Sequence, residues 1–199
     1  SNYMVQQIVL PIKDSNVLKM VQDTLLDSFR AGRRNYTIFQ VGKATLLRVS
    51  DVMTLKKSDV FNPDGSIKST AFIHDKKTGK ANTLYLKPVK QDLLIYHDWL
   101  VQQNLNSEWL FPSTSRPKRH ITEKQFYKVM AHVGDLLGIN YLGTHTMRKT
   151  GAYRVYTQSN YNIGLVIHLL NHSSEAMTLT YLGLDQASRE NMLDQIDFG

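Results

Sequence analysis

Residues 59–86 are where the chain stops repeating like a helix, and that one interruption constrains the fold more than any other feature. On either side, apolar residues recur at three- and four-residue spacing. Between Asp59 and Leu86 the period falls towards two, with β-branched and aromatic residues at 69–74 and 83–86 bracketing the polar run Asp75-Lys76-Lys77-Thr78-Gly79-Lys80. Asn62-Pro63-Asp64-Gly65 supplies an earlier turn. The expectation is a mainly α chain carrying one small antiparallel β-sheet, an α+β fold.

The helical remainder is punctuated by caps. Asp14 can open a first helix over 14–31 with the stripe Val17, Leu18, Val21, Leu25 and Phe29, closed by Gly32. Arg33-Arg34 then reads as a solvated basic connection, and a second helix covers 36–42. Pro88 opens a helix to about Gln103, Trp109-Leu110-Phe111-Pro112 reads as extended and apolar, and residues 113–120 form a polar, basic loop. Thr122-Glu123-Lys124-Gln125 is a capping box ahead of a core face made by Phe126, Val129, Met130, Val133, Leu136 and Leu137. Further helices are expected over 144–159, 162–170, a short one after His172, and 186–196. In the last, Met192, Leu193 and Ile196, with Leu184 before them, are apolar positions that need a cover.

A chain of 199 residues can bury a core as a single domain. It has no cysteine, hence no disulfide framework and no thiolate metal site, and it fits a cytoplasmic setting. Its 24 Lys plus Arg exceed 17 Asp plus Glu, a net charge of +7 that favours a polyanionic partner but also describes an ordinary solvated surface. No apolar run reaches the roughly 18 residues of a membrane span, and no membrane association is expected.

Chemistry concentrates between Tyr141 and Leu184. His145 and Arg148 stand three apart, on one helix face, where an imidazole and a guanidinium fork can meet one phosphate. His172 follows in Asn171-His172-Ser173-Ser174, and Tyr181 comes nine residues later. Arg48, in Leu47-Arg48-Val49-Ser50-Asp51, lies among apolar residues and needs a partner, for which Asp51 is the near candidate. Each residue alone has a plainer reading: a structural Arg–Asp pair, a capping histidine, a packing tyrosine, or lysines that keep a hairpin tip solvated.

Taken together, Arg48, the hairpin lysine, His145-x-x-Arg148, His172 and Tyr181 resemble, in order and spacing, the tyrosine recombinase (phage integrase) family. The resemblance covers most of the chain, from the first helix through Tyr181. It implies the catalytic-domain fold of that family over 1–199, without the helical N-terminal core-binding domain that relatives close around DNA. It also departs from the family twice. Leu46 stands where the family has glycine ahead of Leu47-Arg48, and Asn171 stands where it has glycine ahead of His172.

The resemblance implies site-specific recombination or integration by DNA cleavage and rejoining through a 3′-phosphotyrosyl intermediate. Tyr181 would be the nucleophile, Arg48 and Arg148 would offset phosphate charge, and His145 would accept the tyrosine proton. Lys77 would protonate the leaving 5′-oxygen, with Lys76 and Lys80 as neighbours in register. His172 would hydrogen-bond the phosphate, and Asp51 would hold Arg48 from behind. No metal or other cofactor is expected. The partner would be double-stranded DNA, with Arg116, Lys118 and Arg119 of the basic loop following its backbone, and the chain would pass from monomer in solution to tetramer on DNA. The alternatives are type IB topoisomerase-like relaxation and a non-catalytic helical DNA-binding module.

Overall fold

The structure is a computed structural model and describes residues 8–75 and 77–199; Lys76 lies outside the described residues. Its helices are α1 (Ser15–Asp27), α2 (Gly32–Thr45), α3 (Val49–Met53), α4 (Lys57–Val60), α5 (Lys90–Gln102), α6 (Glu123–Leu137), α7 (Thr146–Gln158), α8 (Ile163–Leu170), α9 (Glu175–Tyr181) and α10 (Gln186–Leu193). Strands β1 (Thr70–His74) and β2 (Ala81–Tyr85) form one antiparallel hairpin in which Thr70 faces Tyr85 and His74 faces Ala81. The expected α+β class therefore holds. Among the described residues, no helix is long and apolar enough to cross a membrane.

The central element is α2, which packs against α1, α5 and α7. Its Ile38 and Phe39 are fully buried, each worth about 1.5–3 kcal/mol of apolar transfer. Here the structure corrects two readings. Gly32 does not close α1, whose N-cap is Asp14 as expected but which ends at Asp27 with Ser28 as its C-cap; Gly32 is the first residue of α2. A Cβ on Gly32 would sit 2.0 Å from the Leu26 carbonyl oxygen, so this glycine lets α2 start against the end of α1.

Nor are Arg33 and Arg34 a solvated connection, since both lie in the first turn of α2. Arg34 is buried, donating from Nη1 to the Pro112 carbonyl (3.1 Å) and from Nε and Nη2 to Asn35 Oδ1. It thereby pins the extended segment whose Leu110 and Phe111 enter the core. The capping box of α6 forms as expected, and Phe126, Met130 and Val133 are buried behind it, but Leu136 faces outward.

A second close approach builds the site. Gly151 of α7 faces α2 so tightly that a Cβ there would lie 2.0 Å from the Lys43 carbonyl oxygen, and a Cβ on Gly42 would meet the Met147 sulfur at 2.3 Å. Because α2 and α7 cross this closely, the end of α2, which leads into Arg48, and the first turn of α7, which carries Arg148, come side by side. Beyond α7 a small second core of Leu46, Ala152, Val166, Leu170 and Leu182 supports α8 and α9, with Tyr181 packed on it. At the C-terminus, Met192 of α10 packs on the main core, whereas Leu193, Ile196 and Phe198 are exposed.

Candidate active site

Both glycine departures fall at left-handed helix ends. Leu46, the C-cap of α2, has φ 57° and ψ 23°; Asn171, the C-cap of α8, has φ 56° and ψ 40°. Asparagine tolerates that conformation through its short polar side chain, whereas leucine carries the steric cost of its Cβ. Leu46 offsets the cost by burying its side chain in the second core, where its Cδ2 would lie 2.7 Å from a Cβ on Gly151. Its carbonyl, turned by the left-handed residue, accepts from Arg148 Nε at 2.7 Å, and the Leu170 carbonyl accepts from Arg148 Nη2 at 3.5 Å. The two irregular helix ends thus aim the arginine.

Arg148 is the hub of the cluster. Its guanidinium carbon lies 5.7 Å from the centre of the Tyr181 ring, within cation–π range. The His172 ring meets the same tyrosine edge-on with centroids 5.0 Å apart, and the Lys149 ammonium lies 5.1 Å from the tyrosine ring centre. The Tyr181 hydroxyl is buried without a hydrogen-bond partner among the described residues. Burial pushes the phenol's pKa up, against the charges of Arg148 and Arg48, which pull it down. A tyrosine so held is a neutral phenol, and it needs a proton acceptor when its oxygen forms a bond.

His172 stands just ahead of α9, as the sequence places it. It occupies the turn between Asn171 and the N-cap Ser174, with its N–H bonded to the Ile167 carbonyl. Its Nδ1 pairs with Thr178 Oγ1 at 2.9 Å, and Thr178 is fully buried one helical turn before Tyr181. This orients the imidazole so that Nε2 is the nitrogen left to meet a ligand. Desolvation, then the charges of Arg148 and Arg48, lower the His172 pKa and keep the ring neutral near pH 7. His145 is the N-cap of α7 and is exposed; desolvation, then the charges of Lys149 and Arg148, lower its pKa as well.

Arg48 caps α3 from an extended backbone, and its Nη1 makes an ion pair with Asp75 at 3.1 Å. Asp51, the partner expected from the sequence, is buried on the first turn of α3 with its N–H bonded to the Arg48 carbonyl, and it lines the same cleft as Arg48; a carboxylate that pairs with the guanidinium is Asp75, 27 residues on. Arg48, Asp51, Asp75, Thr78, Lys80, Arg148 and Asn171 line one cleft of about 410 Å³. Lys77 is exposed at the hairpin turn, where its N–H bonds Asp75, while among the described residues Lys80 is the hairpin lysine on the cleft wall.

Arg116, Lys118 and Arg119 are exposed on a loop closed by bonds from Ser113 N–H to the Arg119 carbonyl and from Arg119 N–H to the Arg116 carbonyl. The Trp109 indole donates to the Lys118 carbonyl at 3.0 Å, so this loop has internal order. A larger hollow of about 660 Å³ lies beside α6, lined by Tyr127, Met130 and Leu142 and remote in character from the charged cleft. Three contributors to the charged site are absent from the sequence reading: Asp75, Lys149 and Thr178. Thr178 had a signal in its spacing, three residues before Tyr181 on one helix face. Asp75 had one in Asp-x-x-Thr-Gly, the pattern of a side chain that caps its own turn.

The family model described as the phage integrase family matches residues 12–188. The probable integrase/recombinase YoeC of Bacillus subtilis (strain 168) is 31% identical over 179 residues, which cover 90% of this chain and 92% of the relative. Among solved structures, the XerA recombinase superposes with a TM-score of 0.67 at 22% identity, covering 94% of this chain and 65% of XerA. The XerH site-specific recombinase bound to its difH substrate gives 0.64 at 19%, covering 98% of this chain and 56% of XerH. The chain therefore spans about the length of its curated relative and under two thirds of these two structures. At these identities the structures establish a shared fold.

Proposed function

The chain belongs to the phage integrase family, and from that premise we propose that the Arg48–Arg148–His172–Tyr181 cluster cleaves and rejoins DNA strands for site-specific recombination. The observation that carries this reading is the buried Tyr181 hydroxyl held beside Arg148 and His172, with Arg48 in the adjoining cleft.

In the proposed reaction the Tyr181 oxygen attacks a phosphodiester in line. A tyrosine–phosphorus bond forms, the bond to the 5′-oxygen breaks, and the product is a 3′-phosphotyrosyl link with a free 5′-hydroxyl. One phosphoester replaces another, so a later attack by a 5′-hydroxyl can rejoin the strand without an energy source. Arg48 and Arg148 donate to the phosphate oxygens as charge gathers on them, and each such preorganised donor is worth about 10²–10³ in rate. His172 Nε2 faces the same phosphate and donates to it in the tautomer whose Nδ1 accepts from Thr178 Oγ1, which requires the hydroxyl proton to leave its other acceptor, the Ser174 carbonyl. The tyrosine proton passes to His145, and the leaving 5′-oxygen takes a proton from the hairpin lysine, with Lys77 the assignment and Lys76 and Lys80 its competitors. Exposed Arg116, Lys118 and Arg119 suit the DNA backbone. The apolar Leu193, Ile196 and Phe198 suit contact with a neighbouring copy in a tetramer formed on DNA.

A nicked suicide substrate, which loses its 5′-hydroxyl fragment after cleavage, tests the reading. The unaltered chain should accumulate a covalent adduct, and Tyr181→Phe should form none while retaining DNA affinity and melting temperature. An adduct with Tyr181→Phe at the unaltered rate would refute the nucleophile. Sedimentation of the trapped complex reads the assembly, for which a single copy per DNA would refute the tetramer.

A further inference from the structure

The hairpin is a thin lever. Its buried anchor is the cross-strand pair Ala71 and Leu84, with Ile73 half-buried beside them, while Phe72, His74, Ala81, Asn82, Thr83 and Tyr85 are exposed. A two-stranded hairpin of this length has little stability of its own in water, so the position of its tip depends on what ties it down. At that tip one carboxylate makes bonds in two directions. Asp75 Oδ2 accepts from Arg48 Nη1 at 3.1 Å, while Oδ1, 3.4 Å from the same Nη1, accepts from the backbone N–H groups of Lys77 at 2.8 Å and Thr78 at 3.0 Å. The turn is closed further by Gly79 N–H to the Asp75 carbonyl at 2.7 Å and Asp75 N–H to the Lys80 carbonyl at 2.9 Å.

We propose that Asp75 is a positioning residue that fastens the turn carrying the acid lysine to the arginine that binds the phosphate. The inference rests on the function proposed above. Arg48 has five N–H donors in a planar fork, and Asp75 is bonded through Nη1, so that Nε and Nη2 can turn to a phosphate. One guanidinium therefore holds the scissile phosphate on one edge and the lysine turn on the other. Phosphate engagement and delivery of the proton to the 5′-oxygen then become one geometric event. The carboxylate stays ionised in this position, because the amides of Thr78 and Lys77 and the Arg48 charge outweigh its desolvation and carry its pKa below the ordinary aspartate value.

The test uses the full chain and two suicide substrates, one ordinary and one with sulfur replacing the 5′-bridging oxygen, whose thiolate leaves without a proton. Asp75→Ala removes both sets of bonds; Asp75→Asn keeps an acceptor for the turn amides and loses the charge on the Arg48 side. On the ordinary substrate, Asp75→Ala should slow adduct formation by about tenfold or more, the scale of a catalytic group displaced by about 1 Å. The sulfur substrate should restore it to near the unaltered rate, and Asp75→Asn should be intermediate and likewise restored. Equal losses on both substrates would overturn the proposal, because the defect would then lie in phosphate binding or folding. Faster cleavage by either variant would overturn it in the other direction, making Asp75 an obstacle on Arg48. An unaltered chain that forms no adduct on either substrate would remove the parent reading and this one with it, a result distinct from failed rescue in a chain that cleaves.

Discussion

Leu46 gives the sharpest quantitative test of how this site is built, because two opposing terms act on one residue. Its side chain is 8% exposed within the second core, so Leu46→Ala should cost about 2–5 kcal/mol for a buried leucine truncation. Its backbone sits at φ 57°, where an alanine Cβ remains strained and glycine does not. At such a position glycine outranks alanine by about 1 kcal/mol or more, the reverse of the helix-interior order. Leu46→Gly should therefore cost about 1–4 kcal/mol and be the more stable of the two variants, although it removes more buried surface. Urea unfolding followed by tryptophan fluorescence and circular dichroism reads this directly. At a slope of about 2–3 kcal/mol/M, the midpoints should differ by roughly 0.3–0.5 M in favour of glycine. Both variants should also slow adduct formation, since the Leu46 carbonyl holds Arg148 Nε. A glycine variant less stable than the alanine variant would refute the strain argument; unchanged cleavage in both would refute the link to Arg148.

Gly151→Ala places a Cβ 2.0 Å from the Lys43 carbonyl oxygen, a backbone atom that cannot swing aside, so α2 and α7 must separate. The expected cost is at least about 3 kcal/mol, seen as a fall in melting temperature of roughly 6–12 °C; a change under about 2 °C would show that the helices can shift without penalty. For pH, the folded pKa values of His172 and His145 are both lowered, so between those values and the unfolded 6.5 the unfolded chain binds more protons. Their contribution is fully present above pH 6.5 and is lost as pH falls through the folded values. Urea midpoints at pH 8 and pH 5.5 should therefore differ less in a His145→Gln, His172→Gln double variant than in the unaltered chain, and an equal difference would refute the assignment.

What the sequence could reveal of the fold follows the range of the interactions concerned. The hairpin, the Thr122–Gln125 capping box and the Asp14 cap are local signals, carried by neighbours within a few residues, and they appear in the structure where the pattern puts them. Gly32 misleads because glycine serves two ends: it stops helices, but it also admits close contact, and only the Leu26 carbonyl across the α1–α2 junction distinguishes the two. Arg34 reads as solvated because its acceptor, Pro112, lies 78 residues away. Asp75 goes unread as a partner of Arg48 for the same reason, while Asp51 offers itself. It is near in sequence, whereas the hairpin that folds Asp75 back onto Arg48 is a tertiary event. The order of Arg48, Arg148, His172 and Tyr181 is legible in the sequence; which carboxylate holds which guanidinium is not.

The division of the interior into two cores gives the cluster its mechanical character. Arg48 and the hairpin anchor belong to the main core through Leu47, Val49, Ala71 and Leu84, whereas Tyr181 rests on the small core of Leu46, Ala152, Val166, Leu170 and Leu182. A unit with so few buried apolar contacts opens at lower free energy than the body it joins. α9 is short, with Thr178 its fully buried residue, so Tyr181 stands on the more easily displaced part and the Arg48 end of the cleft on the firmer one. Arg148 spans the junction, bonded to Leu46 at one helix end and Leu170 at another. Movement of α8 and α9 against α7 must break or bend the bond to Leu170, while the bond to Leu46 ties α7 to the end of α2. If Arg148 binds the phosphate as proposed, the same side chain links that phosphate to the seat of Tyr181.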